Sequence, residues 1–572
     1  MFESETRKCK NCQKSFTLSA EDFSFCEVMK VNLPELCFQC GIQGVMSWRN
    51  EHTLYWGICG QCQKKTLSMY HPESPYTVYC HECWQGDGWD GSDYARDYDS
   101  HRPLLDQFRE LQSRVPREAL VILNSTGCDY GNHVRHSKNC YLVNMVTSSE
   151  NVFYSEWIYD SYDCFDTRKV GGSEMIFECV DVTKCSRSAY LQDCFNSTEC
   201  FFSYGLRGCT NCLFSSNLQN KSYHVFNKPV SKEEYESMKA KIFDGSYLTL
   251  KNNVIQYDDL RIRVLRRYAQ IRNSSDCTGN FIENSNCLKE CFDVIEGEEV
   301  GASASMGAAR RGLYSYSIGW PLAEFFFGAC VIRGGSKIKF SFNLVSSNDC
   351  SYCDSIVSCS DCIASIGIRH KQYLILNKQY SKEDYLAIKE ELQKKGELGI
   401  FPDHRFSTFA YNESAAQAQY PLTKEEAQSL GLSWQDNIPF TSGKETLRVE
   451  DIPNNIKNVS DDILKEVLCC EICQRNYRII KDELALYRRF IIPLPRVCPQ
   501  CRMTRRRSER PPYKLWHRQC QCAGQKSTNG VYQNTIQHTH GTNPCPTAFE
   551  TSYAPERPEI VYCEQCYQQE VA

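Results

Sequence analysis

Lys138-Asn-Cys-Tyr-Leu-Val-Asn-Met-Val-Thr-Ser-Ser-Glu150-Asn-Val-Phe-Tyr-Ser-Glu-Trp-Ile-Tyr-Asp-Ser-Tyr162-Asp-Cys-Phe165 is the stretch from which the fold is read. Within it, Asn139-Cys140-Tyr141, Asn151-Val152-Phe153 and Asp163-Cys164-Phe165 recur at intervals of 12 residues. Each phrase is a small or polar residue, then Cys or an aliphatic, then an aromatic. Asp193-Cys194-Phe195 repeats it, and looser copies follow at Cys200, Cys212, Cys287, Cys291, Cys350, Cys359 and Cys362. Short β-prone phrases with Ser, Asn and Gly corners, repeated many times, predict the stacked coils of a β-solenoid. Aromatic and Val/Ile positions would form the strands. Cys would stack in an interior ladder as a small hydrophobe. Seventeen Cys lie between Cys128 and Cys362, few of them in Cys-x-x-Cys pairs. Buried packing thiols are expected there, with metal or cluster ligation as the alternative.

Outward from this stretch the chain repeats on a larger scale. Tyr223-His-Val-Phe-Asn227-Lys228 and Ser231-Lys-Glu-Glu234-Tyr235 return 150 residues later as Tyr373-Leu-Ile-Leu-Asn377-Lys378 and Ser381-Lys-Glu-Asp384-Tyr385. In both, Ser opens a helix and an acid three residues on answers it, a capping box. Each helix closes one module, over 120–244 and 274–396. The apolar, Gly-rich stretch from Gly301 to Gly335 matches no phosphate-binding loop and reads as further coils, with no legible register. Arg102-Pro-Leu-Leu-Asp-Gln-Phe-Arg-Glu-Leu predicts a linker helix within 101–119. Tyr257 to Arg272 predicts a basic amphipathic helix within the linker 245–273. Residues 397–468 are polar, with short helices expected at Thr423-Lys-Glu-Glu and Ser460-Asp-Asp.

Four cysteine quartets flank the modules. Cys9/Cys12 with Cys37/Cys40 lie in 1–50, and Cys59/Cys62 with Cys80/Cys83 in 51–100. Cys470/Cys473 with Cys498/Cys501 lie in 469–518, and Cys520/Cys522 with Cys563/Cys566 in 519–572. Two Cys-x-x-Cys turns close a tetrahedral thiolate cage that suits zinc, so about four zinc ions are expected. The first and third quartets superpose at a constant offset of 461, which also places Pro34 on Pro495, Arg49 on Arg510 and Leu54 on Leu515. The fourth is one residue short at Cys520-x-Cys522, and its loop holds His538, His540 and Cys545. These three would swap in as ligands, build a fifth site, or be solvated loop residues. Four thiolates leave no open coordination position, so the sites are structural. The zinc-hydrolase and deaminase patterns are absent.

Composition narrows the function classes. The chain has 572 residues, enough for about three to five domains. With 65 Lys+Arg against 70 Asp+Glu it carries a net charge of −5, which excludes a globally basic nucleic-acid coat. A hydrophobic content of 41% excludes a largely disordered chain. No apolar run reaches the roughly 20 residues of a membrane span, so no membrane partner is expected. The N-terminus lacks a secretory leader, so a cytoplasmic protein is expected, whose 36 Cys stay reduced and bind metal rather than pair.

The sharpest polar signal is the third zinc module. From Cys470 to Arg518, 13 Lys+Arg stand against four acids. Arg502, Arg505, Arg506, Arg507, Arg510, Lys514 and Arg518, interleaved with Tyr and Trp, suit phosphate contacts and base stacking on RNA, DNA or a ribonucleoprotein. Alternatively these Arg pair with acids such as Asp87, Asp90, Asp93, Asp97 and Asp99, within the chain or in a neighbouring copy, giving self-association. A third reading is a carbohydrate-active enzyme with Asp163, Asp166, Asp181 and Asp193 on a solenoid face. No two acids sit at a defined catalytic separation, so no catalytic residue is assigned.

The chain resembles a family of uncharacterised cysteine-rich zinc-ribbon proteins of small uncultured bacteria. The resemblance rests on Tyr79-Cys-His-Glu-Cys83-Trp84, Trp89-Asp-Gly-Ser-Asp-Tyr94, Arg102-Pro-Leu-Leu-Asp-Gln-Phe108, the Asn-Lys-x-x-Ser-Lys-Glu phrases and Phe549-Glu-Thr-Ser-Tyr-Ala-Pro-Glu-Arg-Pro-Glu-Ile-Val-Tyr-Cys-Glu-Gln-Cys566. It implies a bacterial cytoplasmic source and the four quartets, and no activity. The expectation is therefore a mainly β fold: two duplicated β-solenoid-like modules, each closed by a helix, flanked at both ends by tandem zinc-ribbon or treble-clef-like modules. The expected function is a non-enzymatic, zinc-stabilised scaffold whose basic C-terminal modules bind nucleic acid.

Overall fold

The computed structural model describes residues 3–403, 406–522, 534–541 and 543–571. The architecture is mainly β, with large curled parallel sheets and cysteine clusters toward both ends of the chain. The first sheet has 16 strands, from Ile122–Leu123 to Lys228–Pro229, and the second has ten, from Ile271–Arg272 to Lys378–Gln379.

The 12-residue phrase is the strand register. Cys140 lies beside Val152, Val152 beside Cys164, and Cys164 beside Ile176. Asn139, Asn151 and Asp163 take φ of 52°, 56° and 51°. Asn and Asp tolerate this left-handed corner because their short side chains bond locally. Here they bond along the stack: Asn139 Nδ2 donates to Asn151 Oδ1 at 2.9 Å, and Asn151 Nδ2 to Asp163 Oδ1 at 2.8 Å. The next residue is buried inside the curl, and the aromatic after it stacks on its neighbour, with the Phe153 and Phe165 rings 4.5 Å apart. Serine makes another corner. Ser149 N–H donates to Ser137 Oγ, Ser161 N–H to Ser149 Oγ and Ser173 N–H to Ser161 Oγ, at 3.1–3.2 Å. Each hydroxyl in turn donates to the carbonyl two residues back, as Ser161 does to Tyr159, so these buried polar groups are satisfied.

Most central cysteines are packed in the two interiors with Val, Ile and Leu, although Cys287 is exposed and Cys128 and Cys277 are half-buried. Among the described residues, none of the 17 joins a group that could hold a metal ion.

The 150-residue duplication is present in detail. Val225 pairs with Lys228 in an antiparallel hairpin, and Ile375 pairs with Lys378 in another. Helix Lys232–Ile242 follows with the full Ser231/Glu234 capping box. Before helix Lys382–Lys394, Ser381 Oγ accepts from Asp384 N–H and donates to the Asp384 carboxylate. Between Gly301 and Gly335 the strands remain parallel, but the step lengthens. Ser303 lies beside Ser315, Tyr316 beside Cys330, and Ala323 again 12 residues from its partner Gly335. The extra residues are extruded at Trp320-Pro321-Leu322, where Trp320 is exposed. That insertion is why no register is legible there.

One predicted element is shifted. The linker helix runs over Tyr247–Arg263, capped by Ser246, rather than Tyr257 to Arg272. Beyond it, Leu265–Arg267 leaves the helix to pair with Ile560–Tyr562, and Ile271–Arg272 opens the second sheet. Helices Leu104–Gln112 and Lys424–Ser429 form as expected, and Asp461–Lys465 forms a 3-10 turn.

The two sheets lie side by side and run in opposite directions. Trp157 meets Tyr316, Lys169 pairs with Asp293, and Asp193 with Arg272. The start of the first and the end of the second therefore share a neighbour, the Cys59–Cys83 segment. Asn132 Nδ2 faces Met69 Sδ, and Arg369 Nη2 donates to the Trp84 carbonyl. At the other end, Asn217 Nδ2 donates to the Leu265 carbonyl and Asn280 Nδ2 to Ser552 Oγ, bringing the C-terminal segment between them. No helix among the described residues is long and apolar enough to cross a membrane.

Candidate metal centres

Three of the cysteine clusters are built from the same two parts. A short antiparallel hairpin holds two sulfurs at its tip: Glu5–Lys8 with Ser15–Leu18, Tyr55–Ile58 with Lys65–Ser68, and Leu468–Cys469 with Asn476–Tyr477. A helix N-terminus supplies the other two, with Cys37, Cys80 and Cys498 as N-caps of Phe38–Met46, His81–Gln85 and Pro499–Ser508. Cys9/Cys12/Cys37/Cys40, Cys59/Cys62/Cys80/Cys83 and Cys470/Cys473/Cys498/Cys501 each bring four sulfurs within 4.8 Å of one another and could hold a metal ion. Cys12–Cys37 and Cys473–Cys498 sulfurs are 3.7 Å apart, and Cys62–Cys80 3.8 Å. A tetrahedral zinc thiolate sets sulfurs about 3.8 Å apart.

The backbone helps to charge the first sulfurs. Cys80 N–H donates to Cys59 Sγ and Cys498 N–H to Cys470 Sγ, both at 3.3 Å. Burial opposes ionisation of Cys59, but N–H groups of Cys62, Cys80 and Gln61 bring it down to about 6. For Cys470 burial again opposes, and N–H groups of Cys498, Cys473 and Ile472 bring it to about 7. A thiolate is the form a metal takes.

The fourth quartet takes the alternative arrangement, in which loop residues swap in and a fifth group forms. Cys545, not Cys522, joins Cys520, Cys563 and Cys566. Cys522 sits instead with His538, His540 and Cys566 in a fifth group. The spacing is the reason: Cys520-x-Cys522 follows the extended strand Trp516–Gln519, and Cys545 N–H returns to bond the Cys522 carbonyl at 2.9 Å. Cys545 Sγ thereby lies 3.9 Å from Cys563 Sγ.

Of the arginines expected to face nucleic acid, three are buried, and Arg505 is half exposed. Arg502, Arg506 and Arg510 are 5%, 1% and 5% exposed. Arg502 pairs with Asp166 at 3.1 Å and Glu483 at 3.3 Å, and Arg506 with Asp166 at 2.9 Å. Arg507 holds Glu156 with its Nε 3.1 Å from both oxygens, and Arg505, half exposed, pairs with Glu178. Arg510 joins the sheets, with Asp181 at 2.9 Å and Asp293 at 2.6 Å. Burial alone would raise the Glu156 and Asp293 carboxyls, but Arg507 and Arg510 hold them well below the usual carboxylate range. Lys514 lies over the Trp516 ring, and Arg518 donates to the Tyr553 and Ala554 carbonyls.

Pairing within the chain was the alternative expectation, but with other acids. The run from Asp87 to Asp99 meets the second sheet instead: Asp90 pairs with Lys371 at 2.8 Å, and Asp97 with Lys378. Glu156, Glu178 and Asp293 were not singled out from sequence. A signal existed, because Asp166 and Glu178 are 12 residues apart and occupy the same left-handed corner of successive turns, φ 51° and 52°. The acids of the enzyme reading are all engaged: Asp163 with Arg489, Asp166 and Asp181 as above, Asp193 with Arg207. The chain matches no protein-family model and no curated protein.

Proposed function

We propose that the protein is a zinc-stabilised, non-enzymatic scaffold. Two β-solenoid modules lie antiparallel, and treble-clef-like zinc modules staple them at both ends. The observation that carries this reading is the helix Pro499–Ser508. Its N-terminus supplies Cys498 and Cys501 to one metal centre, and its Arg502, Arg505, Arg506 and Arg507 insert into the acids of the first module. Folding of the metal centre aims a fixed row of guanidiniums inward. Nucleic-acid recognition through these side chains would require breaking buried ion pairs, at a cost of several kcal/mol each. The basic patch is therefore a dock rather than a phosphate-binding face.

Trypsin, which cuts after Lys and Arg, tests this directly. The metal-loaded chain should resist cleavage at Arg502, Arg506 and Arg507. Chelation should open all three, as the cage at Cys470, Cys473, Cys498 and Cys501 collapses. Ready cleavage of the loaded protein at these positions, with RNA added as protectant, would favour the nucleic-acid reading instead.

A further inference from the structure

The two C-terminal groups share one sulfur. Cys520, Cys545, Cys563 and Cys566 form one tetrad, and Cys522, His538, His540 and Cys566 the other. Seven side chains therefore offer seven donor atoms to two tetrahedra. Two four-coordinate ions need eight positions, and one bridging thiolate makes seven sufficient. We propose that Cys566 bridges a dinuclear zinc centre, one ion bound by four sulfurs and the other by two sulfurs and two imidazoles, so that the chain carries five ions.

Independent support comes from the imidazoles. His538 Nε2 donates to Glu570 at 2.8 Å, and Glu570 is itself fixed by Thr535 N–H and Oγ1 at 3.0 and 2.7 Å. That leaves the His538 Nδ1 lone pair facing Cys522 Sγ, 3.1 Å away. His540 Nδ1 donates to the Asn543 carbonyl at 2.8 Å. Its Nε2 lone pair then faces Cys522 Sγ at 3.3 Å and Cys566 Sγ at 3.4 Å. Both rings thus turn a lone pair, not an N–H, into the cluster, which is how outer carboxylates and carbonyls orient metal-binding histidines. Asn534 Nδ2 donates to Cys522 Sγ at 3.1 Å.

Charge and burial agree. Five thiolates against two divalent ions leave one net negative charge, less than the two of an isolated tetrathiolate ion. Cys520, Cys522, Cys545, Cys563, Cys566 and His538 are all buried, and the Cys522 and Cys566 sulfurs flank His540 Nε2. The competing arrangement leaves Cys566 to the tetrathiolate ion alone. Cys522, His538 and His540 would then hold an ion with an open fourth position, the catalytic pattern.

The proposal rests on the metal reading of the clusters, and the test separates the two. The chain is reconstituted with cadmium-113, counted by native mass spectrometry and observed by NMR. Five cadmium ions are expected. Two of them should show mutual spin coupling through a shared sulfur, one in an all-sulfur and one in a mixed sulfur–nitrogen environment. His538→Ala with His540→Ala should lower the count from five to four, abolish the coupling and leave an all-sulfur signal. Cys566→Ser should abolish the coupling while shifting both resonances. Five ions without coupling, or four in the unaltered chain, would overturn the bridge and leave the scaffold reading intact. No bound cadmium at all would overturn both.

Discussion

The helices Phe38–Met46 and Pro499–Ser508 occupy the same place in two like-built cysteine clusters, yet they dock by opposite chemistry. At the offset of 461, Gly41, Gly44, Val45 and Met46 correspond to Arg502, Arg505, Arg506 and Arg507. The N-terminal helix lies on the second sheet through an apolar face, with Ile42, Val45 and Met46 fully buried. Gly41 faces the Tyr314 ring so closely that a Cβ would come within 2.2 Å of it. The C-terminal helix lies on the first sheet through guanidiniums and carboxylates. The frame around them is unchanged: helices Ala20–Met29 and Lys481–Phe490 also differ by 461, and both end on left-handed residues, Lys30 at φ 52° and Ile491 at φ 54°. A cysteine cage fixes where a helix points, and the side chains on that helix are then free to choose a partner surface.

The comparison is sharpened first by chelation, since both docks rest on a cysteine cage that could hold a metal ion. Chelation under reducing conditions should remove about 10 kcal/mol of apparent folding free energy per site. Metal release and loss of circular dichroism should coincide, at both ends of the chain. Retention of structure after complete release would break the account.

Single substitutions should then separate the docks. Arg506→Gln removes one of the two guanidiniums that hold the buried Asp166 and should cost about 3–5 kcal/mol in denaturant unfolding. Gly41→Ala overpacks the apolar dock against Tyr314 and should cost about 1–3 kcal/mol. Arg505→Ala removes a half-exposed pair and should cost less than about 1 kcal/mol. Equal effects of the buried Arg506 and exposed Arg505 changes would mean that burial is not what orders them.

Acid distinguishes the docks further. Glu156 and Asp293 ionise below the usual carboxylate range, because Arg507 and Arg510 outweigh their burial. The unfolded chain therefore binds protons first as pH falls. Their stabilisation is fully present above the ordinary carboxylate pKa of about 4 and is lost below it. Stability measured from pH 6 to pH 3 should fall, and Arg507→Gln, by relaxing Glu156 toward its ordinary pKa, should flatten that fall. An identical pH profile in the variant would contradict this assignment.

These contrasts also show what sequence carries. The 12-residue phrase was legible because one corner residue, one interior residue and one aromatic recur in fixed order, as at Asn139-Cys140-Tyr141. The stretch around Trp320 was not, because two added residues shift the register without changing the local composition. Three quartets were legible because hairpin and helix N-terminus impose Cys-x-x-Cys. The fourth was legible only as a set of alternatives, because an extended Cys520-x-Cys522 sends its two sulfurs to different groups, and the folded loop decides that Cys545 returns. The Arg patch was visible as composition, but most of its partners come from residues more than 200 positions away. Spatial pairing of that kind leaves no local trace.

The central claim is that the arginine helix is an internal dock, and a double-mutant cycle between Arg506 and Asp166 tests it most directly. Unfolding free energies are measured for Arg506→Gln, Asp166→Asn and the double variant. The account predicts a coupling of about 1–3 kcal/mol, as for residues in one buried network. Additivity to within about 0.5 kcal/mol would mean that the two side chains do not meet, and that the helix faces solvent or a partner instead.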